Sequence, residues 1–71
     1  TVAVKRPNKL TDRETECLRW VSIGKTDGDV SLILGISPRT VRFHITNAKT
    51  KLGVSTRIQA VAKVITESYA A

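Results

Sequence analysis

The stretch that decides the fold runs from residue 26 to residue 52 and has the sequence TDGDVSLILGISPRTVRFHITNAKTKL. Thr26 is a good N-cap for a helix, and Gly35 suits the left-handed residue that ends one. A second start follows almost at once, because Ser37 is a good N-cap and Pro38 fits the first helical position. The stretch therefore predicts a short helix, a tight turn and a longer helix.

Two further helices are predicted on either side of this stretch, and no segment predicts a strand. Thr11 and Glu14 have the spacing of a capping box at the start of the first helix. Ser55 is expected to cap the last one. The predicted class is all-α, a four-helix bundle that contains a helix-turn-helix. Residues 1–9 are expected to be a linker or N-terminal arm and residues 10–71 the domain, with helices at about 12–23, 27–34, 38–52 and 55–69.

The charge of the chain favours a polyanion partner. Its 71 residues include 12 Lys+Arg against 6 Asp+Glu, a net charge of +6. Between Asp29 and Glu67 there is no acidic residue. Such a basic stretch is typical of nucleic-acid binding, although a solvated face that only gives solubility is the alternative. The basic residues of this stretch are Arg39, Arg42, Lys49, Lys51, Arg57 and Lys63.

Several other function classes are disfavoured. The chain is too short for most enzyme scaffolds and has no Gly-rich phosphate loop or carboxylate pair, so no catalytic residue is assigned. One His and one Cys cannot build a zinc site, and no cofactor is expected. Cys17 is predicted to be an inert core residue, and His44 a packing residue beside the core. A lone Cys fits a reducing, cytoplasmic compartment, and Thr1 in place of Met suggests a fragment.

The longer helix carries most of the functional information. At about 100° per residue, Val41, Ile45, Ala48 and Leu52 fall on one face and predict a buried stripe. A short helix, a tight turn and a longer helix with a polar outer face describe a helix-turn-helix. The outer face carries Arg39, Arg42, Phe43, Thr46, Asn47 and Thr50.

The residue types on this outer face are those that read base edges. Arg42 can bond guanine O6 and N7, and Thr46 or Asn47 can meet adenine or thymine. Phe43 can contact a thymine methyl group; the alternative is that it fills core against a neighbouring helix. Phosphate contacts are expected from helix starts and from the flanks of the longer helix. They are assigned to Lys25, Thr26, Arg39, Thr40, Lys49 and Thr50, with a simple N-cap as the alternative for Thr26.

The last helix has two apolar faces, and a small monomer cannot bury both. One face carries Ile58, Val61, Ala62 and Ile65. Ala60 and Val64 lie nearly opposite. One face should pack in the core and the other should contact a partner, or else stay exposed without one. The dimer interface is assigned to Ala60, Lys63, Val64 and Glu67.

Four strings resemble the LuxR-type helix-turn-helix: LTDRETECL at 10–18, GKT at 24–26, ISPRTVRFH at 36–44 and KLGV at 51–54. The resemblance implies the C-terminal DNA-binding domain of a bacterial transcription regulator, with the third helix in the major groove and the fourth in a dimer contact. By position it implies base reading by Arg42, Phe43 and Thr46, and phosphate contacts from Lys25, Thr26, Thr40 and Lys49. Asp29 stands where the family usually has Glu, and Ala48 where it has a larger aliphatic residue.

Trp20, Asn47 and the Phe43-His44 pair are similar to the quorum-sensing branch of that family, whose N-terminal domain binds an acyl-homoserine lactone. The output domain of a response regulator is the alternative. The partners implied are double-stranded DNA, a second copy of the chain and RNA polymerase, in the bacterial cytoplasm at the nucleoid. A helical module that docks an acidic protein through its basic face is a hypothesis of a different class.

Overall fold

The computed structural model describes residues 10–70, and the side chains of residues 10–67. This part of the chain forms α1 (Asp12–Ser22), α2 (Asp27–Leu34), α3 (Pro38–Leu52) and α4 (Arg57–Ala70), with no strand among the described residues. The predicted all-α class with a helix-turn-helix is confirmed, and α2 and α3 have the predicted limits. The predicted arm at residues 1–9 lies outside the described residues.

Both ends of α1 follow from local chemistry. Thr11 Oγ1 accepts the Glu14 N–H at 3.1 Å, and Glu14 Oε1 accepts the Thr11 N–H at 2.9 Å, which completes the predicted capping box. The helix ends at Ser22, one residue before the predicted end. Ile23 has already left helical geometry at ψ 16°, and Gly24 at φ 91° takes a conformation that side chains rarely adopt.

The start of α4 differs from the prediction, because Thr56 and not Ser55 caps the helix. Thr56 Oγ1 accepts the Gln59 N–H at 3.1 Å, and Gln59 Oε1 accepts the N–H groups of Thr56 and Ser55, each at 3.0 Å. The reciprocal arrangement needs Glu or Gln three residues after the cap. Gln59 meets that condition for Thr56, whereas the residue three after Ser55 is Ile58.

The core lies where α3 packs against the other three helices. The predicted stripe of Val41, Ile45, Ala48 and Leu52 is buried throughout. Cys17 is also buried, as predicted, and burial raises the pKa of its thiol. The buried apolar residues of the described part are Leu10, Cys17, Leu18, Val30, Val41, Ile45, Ala48, Leu52, Ala60 and Val64.

The inward face of α2 is only partly as expected. Val30 is buried and Leu34 packs against the core, but Ile33, expected to face inward, is 44% exposed. Ser31 is buried in its place. Its hydroxyl donates to the Gly28 carbonyl at 2.7 Å, so its polar atom is satisfied within the helix. A small residue at this position lets the short helix lie close to its neighbours.

The buried and exposed faces of α4 are the reverse of those expected from the sequence. Ala60 is 0% exposed and Val64 is also buried, so their assignment to a dimer interface is wrong. Small side chains let α4 approach α1 and α3 closely. The bulkier face is the exposed one, and Ile58 is 78% exposed. No helix in the described part is both long and apolar enough to cross a membrane.

Candidate nucleic-acid interface

The base-reading residues expected on α3 share one outward face. Arg42, Phe43 and Thr46 are exposed, and Asn47 at its edge is partly exposed. Arg42 and Thr46 are one helical turn apart and are therefore neighbours on the surface. The opposite face of the same helix is buried in the core. The domain thus anchors α3 along one side and presents the other to solvent.

Phe43 is an exposed aromatic residue at the centre of this polar face. Its side chain is 61% exposed, so the alternative that it fills core is wrong. Its ring meets His44 in an edge-to-face arrangement, with centroids 5.8 Å apart and planes at 64°. Aromatic pairs in this arrangement are favourable. His44 is partly buried, as expected for a packing residue, and holds Phe43 from the side.

Of the cations assigned to phosphate contacts, Arg39 and Lys49 lie on α3 and Lys25 precedes α2. Arg39 and Lys25 are exposed, Lys49 is partly exposed, and none of them forms an ion pair with another described residue. The two threonines of α3 that were assigned to phosphate contacts are engaged locally: Thr40 Oγ1 lies 2.9 Å from Ser37 Oγ, and Thr50 Oγ1 donates to the Thr46 carbonyl at 3.2 Å. The charged groups are therefore better placed than the hydroxyls to meet a phosphate.

The start of α2 carries a second capping box. Thr26 Oγ1 accepts the Asp29 N–H, and Asp29 Oδ2 accepts the Thr26 N–H, both at 3.1 Å. These two hydrogen bonds lower the pKa of Asp29, and the bond from the Thr26 backbone N–H has the larger effect. The N-cap role of Thr26 is confirmed. A phosphate at this helix start would use the amides of Asp27 and Gly28, which lie too early in the helix for an internal acceptor.

Two ion pairs between helices were not predicted from the sequence. Lys51 Nζ donates to both carboxylate oxygens of Glu14, at 2.9 and 3.0 Å, and joins α3 to α1. Arg57 donates to both carboxylate oxygens of Asp27, at 2.6 and 3.2 Å, and joins α4 to α2. The partners lie 37 and 30 residues apart, so no local pattern indicates either pair.

Lys63, which was assigned to the dimer interface, has an internal partner. Its Nζ donates to the Leu52 carbonyl at 3.1 Å, at the C-terminus of α3. A cation at this end of a helix is favourable because the last carbonyl groups have no partner within the helix. The contact ties α4 to the end of α3. Glu67, the fourth residue of that assignment, is partly exposed.

The short helix, the tight turn and the longer helix with a basic outer face define a helix-turn-helix nucleic-acid-binding domain. A family described as bacterial regulatory proteins, luxR family, matches residues 8–64. The chain belongs to this luxR family and is its helix-turn-helix DNA-binding domain. The resemblance found in the sequence is thereby confirmed.

Individual relatives are transcription regulators. The chain is 52% identical over 61 residues to the transcriptional activator protein LuxR of Aliivibrio fischeri, covering 86% of this chain and 24% of that protein. It is 56% identical over 54 residues to the activator AhyR of Aeromonas hydrophila, and the match covers 76% of this chain and 21% of AhyR. It is 49% identical over 61 residues to the quorum sensing-dependent regulator RpaR of Rhodopseudomonas palustris, covering 86% and 25%. The chain thus spans about a quarter of the length of these curated relatives.

Proposed function

We propose that this chain binds double-stranded DNA in a sequence-specific manner, with α3 in the major groove. The observation that carries the proposal is the division of α3 into a buried apolar face and an exposed face with Arg42, Phe43 and Thr46. A major groove admits a helix, and these side chains supply a bidentate donor, an apolar contact and a hydroxyl. Asn47 at the edge adds an amide that suits adenine.

Phosphate contacts hold this helix in register. We assign them to Arg39 and Lys49 on α3 and to Lys25 before α2, with Thr26, Thr40 and Thr50 as hydroxyl or backbone contacts. These groups flank the outer face of α3 or precede the helix that packs beside it. Contacts of this kind set position and orientation without reading sequence.

Selection from a randomised duplex pool, followed by affinity measurements against salt, tests the proposal. A chain that neutralises about four to six phosphates should show log K falling with log salt at a slope of roughly −4 to −5. Enriched duplexes should bind more tightly than random ones at the same salt concentration. Equal affinity for all duplexes would contradict sequence-specific binding.

We further propose that the chain acts as a homodimer through the exposed face of α4. Ile58, Ala62 and Ile65 follow one another at helical spacing on this face, and all three are exposed. An exposed apolar stripe on a small domain is typical of an interaction site. A symmetric dimer would read a pseudo-palindrome with half-sites roughly 10 bp apart.

We also propose that the chain is the output domain of a longer regulator. Its curated relatives are about three and a half times as long, and RpaR is named as quorum sensing-dependent. This supports control by an N-terminal domain that binds an acyl-homoserine lactone, in a regulator that acts on DNA in the cytoplasm. It favours that branch over a response regulator.

The basic outer face of α3, with Phe43 exposed at its centre, also suits a second function, docking of an acidic surface on a protein partner such as RNA polymerase. Phe43→Ala separates the two. Loss of affinity for the selected duplex supports base reading by Phe43. Normal affinity for that duplex with loss of RNA polymerase binding supports the docking function.

A further inference from the structure

Arg57 and Asp27 connect the first residue of α4 to the first residue of α2. The guanidinium donates to both carboxylate oxygens, at 2.6 and 3.2 Å, and both side chains are partly buried. A two-point contact between a planar guanidinium and a carboxylate fixes direction as well as distance. The pair therefore constrains how the start of α2 sits relative to α4.

This ion pair spans two helices whose backbones do not come close in the described part of the chain. No Cα atom of α2 lies within 8 Å of one of α4, whereas both helices pack on α1 and α3. The buried residues of α2 are Val30, which closes its first turn, and Ser31 in the next turn. Gly28 and Asp29 in the first turn are exposed, and the hydrogen bonds of Asp29 stay within its own cap. Within the described residues, Asp27 makes the hydrogen bonds that hold the first turn to another helix.

The start of α2 is also where the proposed phosphate contacts of Lys25 and Thr26 lie. Phosphates on a duplex have fixed spacing. A contact from the start of α2 to the DNA backbone is therefore useful only if the first turn of α2 keeps a set position relative to α3. We propose that Asp27 and Arg57 are a positioning pair that holds this turn in place for the DNA backbone. The inference rests on the proposed DNA-binding function.

The direction in which Asp27→Asn changes DNA affinity distinguishes this role from simple electrostatics. Asp27→Asn removes a negative charge from the side of the domain that would face a polyanion, so charge alone predicts tighter binding. A positioning role predicts weaker binding, because the first turn of α2 loses its link to α4. The hydrogen bond from Arg57 lowers the pKa of Asp27, so the carboxylate is charged at neutral pH. Asp27→Asn therefore removes a negative charge that the wild type carries under the conditions of the measurement.

The experiment measures the affinity of the 71-residue chain for a random-sequence duplex of about two helical turns. Asp27→Asn is expected to weaken binding by about three- to tenfold. The same factor should apply to a selected duplex, since phosphate contacts are common to all sequences. Glu16→Gln is the matched control, because it removes an equal charge from the Arg13–Glu16 ion pair within α1 and should not weaken binding.

Two further variants separate positioning from loss of folding. Arg57→Lys keeps the net charge but loses the two-point contact, and it should also weaken binding. The double variant Asp27→Asn, Arg57→Gln should bind no more weakly than Arg57→Gln alone, because both changes break one contact. Affinities are taken per folded molecule, with the folded fraction from circular dichroism, so a pair that only stabilised the fold would leave them unchanged.

Asp27→Asn or Arg57→Lys binding as tightly as the wild type, or more tightly, would overturn the inference while leaving DNA binding intact. Failure of the wild-type chain to bind any duplex would overturn the proposed function and the inference together. The wild-type measurement therefore tells the two failures apart.

Discussion

Lys51, at the surface near the end of α3, forms an ion pair with the buried carboxylate of Glu14 at the start of α1. The Glu14 carboxylate is 3% exposed and accepts both Lys51 Nζ, at 2.9 and 3.0 Å, and the Thr11 N–H, at 2.9 Å. One carboxylate thus completes a helix cap and anchors the last turn of the proposed recognition helix. It links the local structure of α1 to the placement of the DNA-facing helix.

Glu14→Gln should therefore destabilise the fold. The amide keeps the size of the side chain but leaves Lys51 without its charged partner, and hydrogen bonds to charged groups are worth about 1.5–3 kcal/mol. We expect a loss of that order in the free energy of unfolding, measured by urea denaturation. Glu16→Gln, in the more exposed pair with Arg13, should change the free energy of unfolding by less than about 1 kcal/mol. Equal effects of the two changes would contradict the role of burial.

Stability should fall in acid. Burial alone would raise the pKa of Glu14, but the hydrogen bonds from Lys51 and Thr11 and the charge of Lys51 lower it below its ordinary value of 4.5. The hydrogen bond from Arg57 lowers the pKa of Asp27 below 3.8. A lowered folded-state pKa gives stability that is present above the ordinary value and is lost as the pH falls through the folded value.

Urea denaturation at a series of pH values checks this acid dependence. The free energy of unfolding should be flat near neutral pH and should decline below about pH 4.5. Glu14→Gln should reduce the decline, since residue 14 would then no longer titrate. A decline of the same size in that variant would assign the acid sensitivity to other carboxylates.

Arg42→Ala should reduce discrimination between DNA sequences. Arg42 is exposed and points away from the core, so its removal leaves the fold intact. A bidentate base contact is worth about 1–3 kcal/mol of discrimination, so the ratio of affinities for the selected and a random duplex should fall accordingly.

Lys49→Ala is the matched comparison for Arg42→Ala. It should weaken binding to both duplexes alike and reduce the salt slope by about 1. A uniform loss for Arg42→Ala would instead place Arg42 among the phosphate contacts.

Ile58→Asp should weaken the proposed dimer without unfolding the monomer. Ile58 is 78% exposed, so a charge there meets solvent in the monomer and apolar surface in the dimer. Sedimentation equilibrium of the variant, with and without a palindromic duplex, measures the change.

The matched control for Ile58→Asp lies on the opposite face of α4. Ala60→Leu overfills the core and should cost about 1–3 kcal/mol of stability, with association changed only through the loss of folded chain. An unchanged dimer in Ile58→Asp would exclude this face as the interface.

Much of the fold follows from local chemistry and was predictable. The caps at Thr11, Thr26 and Ser37 and the glycine at position 35 set limits of the helices, and they act within one turn of the chain. The buried stripe of α3 was also predictable, because its residues recur at helical spacing. The same helical spacing predicted the outward face of α3, which carries the proposed base contacts.

Local patterns could not choose between competing faces. Helix α4 has two apolar faces, and hydropathy favoured neither as the core. Packing buried Ala60 and Val64, because small side chains let α4 lie close to α1 and α3, and left Ile58 and Ile65 exposed. The same reason turned Ser31 inward and Ile33 outward on α2.

Residues near one another in the chain thus specify the four helices, their caps and the polar outer face of α3, since helix formation and capping act over three or four residues. The ion pairs of Glu14 with Lys51 and of Asp27 with Arg57, the cap that Lys63 places on α3, and the exposed face of α4 depend on how the helices pack. Their partners lie 11 to 37 residues apart, and only the folded chain brings them within hydrogen-bonding distance.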